Sequence, residues 1–153
     1  MEIKSSRSHL FSFIISLSFF FSCSENESET PIVVLDAYLK NPLEGAHSIA
    51  AYMSLKNTSG YKIKIKGLTC NNLLAEFHQT VITDSGMTSM SKLNFLTLEP
   101  KSETTLLPGK GHIMLMGKSM SNITEGINCD LIIEDIDSFP PFKRAPVFFE
   151  MRS

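Results

Sequence analysis

From Ile32 onward, apolar and polar residues alternate in short runs separated by turn residues, the period-two pattern of half-buried β-strands. The clearest run is Tyr61–Cys70, where Tyr61, Ile63 and Ile65 interleave with Lys62, Lys64 and Lys66, so one face is apolar and the other wet. In His47–Leu55, the residues Ile49, Ala51, Met53 and Leu55 share one face in the same way. The pattern predicts strands over Ile32–Leu39, His47–Leu55, Tyr61–Cys70, Leu74–Ile82, Met87–Met90, Leu93–Leu98, Glu103–Leu107, Gly111–Met116, Ile127–Glu134 and Val147–Met151. Asn41-Pro42, Glu44-Gly45, Asn57 to Gly60, Pro100, Pro108-Gly109 and Pro140-Pro141 punctuate them, and Asp84-Ser85-Gly86 reads as a hairpin connection. Helix signals are nearly absent, with one turn expected around Ser119–Glu125. Many short strands joined by polar turns predict an all-β domain, a β-sandwich or small barrel of short, mainly antiparallel strands.

The pattern fails before residue 31. Lys4 and Arg7 give a positive start, Leu10 to Phe21 form an apolar run broken only by serines, and Ser22-Cys23 follows. The run is too short to span a bilayer and reads as a targeting segment over residues 1–22. It resembles a bacterial lipoprotein signal in which Cys23 becomes the lipidated first residue, although Phe20 and Phe21 stand where the usual signal has Leu and a small residue. Ser24 to Thr30 is polar, acidic and unable to bury anything, so residues 23–30 are expected to be an acylated cysteine and flexible tether. Residues 31–153 are then the folded domain, exported and held at a membrane by its lipid; an ordinary secretory peptide or an uncleaved anchor would equally place it outside the cytoplasm.

Charge excludes one class of partner. Residues 1–22 contain Lys4, Arg7 and Glu2, and their removal takes the net charge from −2 to −3. The Lys62/Lys64/Lys66 row is the only basic cluster and is explained as a wet strand face. Nucleic acid is therefore not an expected partner. Besides Cys23, two cysteines remain, Cys70 and Cys129, in apolar strand contexts. They can form a disulfide in an exported protein or serve as small buried thiols.

The candidate chemistry lies in the histidines and methionines. With His9 in the targeting segment, only His47, His78 and His112 remain, and five of the eight methionines (Met87, Met90, Met114, Met116, Met120) fall between residues 87 and 120. Methionine is often a core gap-filler. Met87 and Met90, however, sit among Gly, Thr and Ser, where a core position is not expected. His112 and Met114 share a strand face, their Cβ atoms about 6.5–7 Å apart. The pattern His78-x11-Met90-x21-His112-x-Met114 offers two imidazoles and two thioethers with no carboxylate. Such neutral, soft donors suit Cu(I) and disfavour zinc, calcium and magnesium. Met87 and Met116 are secondary candidates for ligation or shielding. His47 is expected to be an exposed structural histidine.

This pattern resembles the periplasmic copper chaperone family PCuAC. Supporting stretches are Ala50-Ala51-Tyr52-Met53 with Asn57, Glu76-Phe77-His78, Gly86-Met87-Thr88-Ser89-Met90, Pro108 to Gly117 around His112-Ile113-Met114, and Leu131 to Asp135. Gln79, Ser91-Lys92 and the Pro-rich stretch from Ile136 to Arg144 depart from the family's usual text, without removing a ligand. The resemblance implies a cupredoxin-like β-sandwich that holds Cu(I) through His78, Met90, His112 and Met114. It further implies delivery to the copper-centre subunit of a respiratory terminal oxidase, alongside a thioredoxin-like copper chaperone.

Other classes find less support. A blue-copper electron carrier needs a thiolate beside its histidines, and neither Cys70 nor Cys129 has the short spacing to a histidine. Glu134, Asp135 and Asp137 read as a solvated turn rather than a catalytic pair, and no triad, phosphate loop or zinc-hydrolase motif occurs. An enzyme is therefore not expected. Copper storage or tolerance would use the same four donors. A metal-free surface lipoprotein that binds a protein partner would leave them without a role.

Overall fold

A computed structural model describes residues 30–118, 120–134 and 144–152. The expected targeting segment (1–22), most of the tether (23–30) and nearly all of the Pro-rich stretch lie outside the described residues. Ten strands occur: β1 (Ile32–Lys40), β2 (Ser48–Asn57), β3 (Ile63–Cys70), β4 (Leu73–Ile82), β5 (Thr88–Leu93), β6 (Leu96–Leu98), β7 (Glu103–Leu106), β8 (Gly111–Met116), β9 (Gly126–Ile133) and β10 (Arg144–Arg152). Each overlaps a run predicted from alternation, with β5 running on past Met90 to Leu93 and β10 beginning at Arg144 rather than Val147. The single helical turn expected near Ser119–Glu125 is instead a tight turn, closed by Ile123 N–H on the Met120 carbonyl at 3.1 Å. Among the described residues no helix is long and apolar enough to cross a membrane.

The strands hydrogen-bond in the order β5-β4-β8-β2-β1-β10-β9-β3-β6, and β3 also pairs with β4. The ladder from β4 through β8, β2, β1, β10, β9 and β3 therefore returns to β4, a closed barrel. Pairing is antiparallel except for β1 with β10, which run parallel over Tyr38–Lys40 and Glu150–Arg152. That short contact explains how Pro146 sits within β10. It pairs with Asp130 of β9 on one side, while β1 does not reach it on the other, so its missing N–H costs no ladder bond. Strand β1 makes room for β10 by a register shift between Leu35 and Tyr38, where Asp36 takes φ 50°. Arg152 then reaches back to the Asp36 carboxylate at 2.7 Å.

Alternation fills the barrel. Leu39, Ala51, Met53, Leu55, Ile65, Phe77, Ile113, Leu115, Leu131 and Phe149 point inward and are buried. Each fully buried large side chain contributes roughly 1.5–3 kcal/mol. Met120 is also buried in this core, as expected of a gap-filling methionine. Lys62, Lys64 and Lys66 lie outside, bridging to Glu99 and Glu134. At the far end of the barrel, Asn57 is fully buried. Its side-chain amide donates to the carbonyls of Tyr61, Leu98 and Glu99, and its oxygen accepts from the Ser59 N–H and hydroxyl. Cys70 and Cys129 face each other across β3 and β9 as a disulfide, with Cα atoms 4.3 Å apart.

Candidate metal centre

Strands β5, β4 and β8 are neighbours, and their register decides what their outer face carries. His78 pairs directly with His112, Glu76 with Met114, and Leu74 with Met116. Across the other edge of β4, Thr80 pairs with Met90 and His78 with Lys92. Because side chains alternate, Glu76, His78 and Thr80 share the face opposite the buried Phe77. His112, Met114 and Met116 likewise share the face opposite the buried Ile113 and Leu115. Met90 and Lys92 join them from β5. Thus His78, Met90, His112 and Met114 all stand on one face, with the two histidines at its centre. Met114 lies one step along the strands from that pair and Met90 one step the other way.

The histidine rings are 5.8 Å apart between centroids and tilted by 32°. His112 is only 5% exposed, and its Nδ1 lies 3.4 Å from the Lys110 carbonyl. An Nδ1–H aimed at that carbonyl leaves the lone pair on Nε2. His78 is half-buried, and its Nε2 lies 3.2 Å from Oε2 of Glu76. Lys92 donates to the other oxygen of the same carboxylate. The Lys92 ammonium first, and the His78 ring second, hold the Glu76 carboxyl below the usual carboxylate range. Among the described residues, Nδ1 of His78 is the one buried side-chain nitrogen or oxygen with no hydrogen-bond partner. Leaving such an atom unpaired costs about 1–3 kcal/mol, and exceptions of this kind ask for a reason.

The methionines divide by position. Met90 is 58% exposed on the edge strand, and Met87 is 66% exposed at the base of the Asp84-Ser85-Gly86 turn. Neither is a core residue, as their Gly- and Ser-rich surroundings suggested. Met114 and Met116 are half-buried along β8. His47 is exposed and binds the Lys118 carbonyl through Nδ1 at 2.7 Å, tying the β1–β2 loop to the segment after β8. It plays a structural part. The disulfide leaves neither Cys70 nor Cys129 as a free thiolate, so the donor set of a blue-copper centre is absent among the described residues. No group of three or more His, Cys, Asp or Glu side chains among the described residues is arranged to hold a metal.

Sequence reading had no role for Glu76 and Lys92. The signal for Glu76 was nonetheless present, since a residue two positions before His78 on a strand stands beside it on the same face. Lys92 became visible only through the β4–β5 register.

The all-β fold is similar to that of solved PCuAC domains. The copper-bound PCuAC domain of PmoF2 is similar with a TM-score of 0.62 and 19% identity, over 80% of this chain and 93% of that one. The apo PCuAC domain of PmoF1 gives 0.61 and 17%, over 80% and 94%. Apo-DR1885 from Deinococcus radiodurans gives 0.55 and 21%, over 99% and 93%. At these identities the likeness is one of fold. Residues 32–134 match the family described as "Putative lipoprotein LpqE-like", and the chain belongs to this LpqE-like family. No curated protein matches the sequence.

Proposed function

We propose that this chain is an extracytoplasmic copper(I) chaperone, which holds one cuprous ion through His78, Met90, His112 and Met114 and passes it to a recipient protein. The observation that carries this reading is the direct cross-strand pairing of His78 with His112 on a face that also bears Met90 and Met114. Four uncharged donors leave the bound ion at +1 and favour a soft monovalent metal over hard divalent ones. His112 and Met114 are seated on one strand of the closed barrel and form the fixed half of the site. Met90, exposed on the edge strand, is the donor that an incoming recipient reaches first. Met87 and Met116 flank the face and shield the ion or take part in its exchange. Support also comes from the copper-bound PmoF2 domain, which shares the fold.

Cys23 as lipid anchor and residues 24–30 as tether would keep the domain at the membrane, outside the cytoplasm. The recipient is then the copper-centre subunit of a terminal oxidase, with a thioredoxin-like copper chaperone acting beside it. Anaerobic titration with Cu(I) against a competing chelator tests the binding half of the proposal. One equivalent should bind, and His112→Ala should lose it; equal binding by both proteins removes the site. Transfer from the loaded protein to a purified copper-centre subunit tests the delivery half. Retention of the ion by the loaded protein instead indicates storage.

A further inference from the structure

The Glu76 carboxylate sits at the edge of a site whose four donors are all neutral, and it has two partners, Lys92 and Nε2 of His78. A carboxylate without a proton can only accept. Nε2 of His78 must therefore carry a proton, and in the neutral ring that can bind a metal the lone pair lies on Nδ1. Nδ1 is the same atom that is buried with no hydrogen-bond partner. Two separate observations thus select one tautomer: a partner on the nitrogen that carries the proton, and none on the nitrogen that carries the lone pair. His112 has the opposite arrangement, its Nδ1 facing the Lys110 carbonyl at 3.4 Å. Lys92, anchored on the same edge strand as Met90, holds the second oxygen of Glu76 and keeps the carboxylate turned toward the ring. Metal-bound histidines commonly donate their other N–H to a carboxylate or carbonyl in this way, which fixes the ring and strengthens the donor.

Resting on the copper reading above, we propose that Glu76 is a positioning residue of the site. It locks His78 in the tautomer that presents Nδ1, so the two nitrogen donors are Nδ1 of His78 and Nε2 of His112. The rival arrangement is definite. If the ion took Nε2 of His78, it would have to displace Glu76, and the carboxylate would compete with copper instead of preparing its site.

Long-range proton–nitrogen correlation spectra of the 15N-labelled protein, recorded anaerobically without and with one equivalent of Cu(I), separate these cases. In the copper-free protein His78 should show its proton on Nε2. With Cu(I), Nδ1 of His78 and Nε2 of His112 should shift, while Nε2 of His78 keeps its proton. A shift and proton loss at Nε2 of His78 overturns the role of Glu76 and leaves the copper reading intact. No response from either ring overturns that reading itself. Glu76→Leu should weaken Cu(I) binding roughly tenfold or more and leave His78 as a mixture of tautomers before metal is added. Glu76→Gln, whose amide oxygen can still accept from Nε2–H, should recover most of the loss. Equal or tighter binding by Glu76→Leu overturns the proposal, and so does a Gln variant as weak as the Leu variant.

Discussion

Replacing Met90 and Met114 with leucine separates the lone pair of a thioether from its bulk. Met90 is 58% exposed on β5, so its replacement should change stability by no more than about 0.5 kcal/mol. Met114 is half-buried beside Glu76 and Ala50. Its nearly volume-conserving exchange should cost less than about 1.5 kcal/mol. Both variants should fold, and their melting curves should remain close to that of the parent. Removing one of four donors should weaken Cu(I) by at least tenfold, about 1.4 kcal/mol. The two losses should differ. Met114 is already confined on β8 next to His112, whereas an exposed methionine gives up as much as about 1.5–2 kcal/mol of rotamer freedom when it is fixed. Part of the Met90–copper attraction is spent on that ordering, so Met114→Leu should show the larger loss. Anaerobic competition with a Cu(I) chelator measures both. A double variant that binds like the parent would refute the thioether site. A larger loss at Met90 than at Met114 would refute the division into a fixed half and an exchangeable half.

Three further outcomes are expected. Protons compete with Cu(I) for the imidazole lone pairs, so affinity should fall on acidification; an isotherm unchanged between neutral pH and pH 5 contradicts ligation by His78 and His112. Replacing both Cys70 and Cys129 with alanine opens a link across a sequence separation of 59 residues, which should cost about 4 kcal/mol. Urea denaturation should report that loss while Cu(I) affinity stays unchanged, because the bridge joins β3 and β9, away from the donor face. Asn57→Ala strips five hydrogen bonds from a fully buried corner and should cost about 2–4 kcal/mol. A stability within 0.5 kcal/mol of the parent would show that water replaces the amide there.

Most of the fold was legible because alternation is a direct consequence of strand geometry. Ile49, Ala51, Met53 and Leu55 announced β2, and Ile63 and Ile65 announced β3. Strand β5 was read too short because its residues are all exposed or nearly so; an edge strand wet on both sides has no apolar face to alternate. The parallel contact between β1 and β10 was not legible either, since it joins the two ends of the domain over three residue pairs. Barrel closure through β3 and β4 belongs to the same class of long-range information. The candidate face was legible where its residues share a strand: that His112 and Met114 point the same way follows from spacing alone. That His78 lies directly opposite His112 depends on register. The clustering of methionines was also a mixed signal, because Met120 belongs to the core while Met87 and Met90 do not.

The most direct measurement of the central claim is X-ray absorption at the copper edge of the protein loaded anaerobically with one equivalent of Cu(I). Two nitrogen and two sulfur neighbours are expected around the ion, with one sulfur lost in Met114→Leu. A shell made only of nitrogen and oxygen would contradict the claim, and so would a sulfur shell that survives loss of both Met90 and Met114.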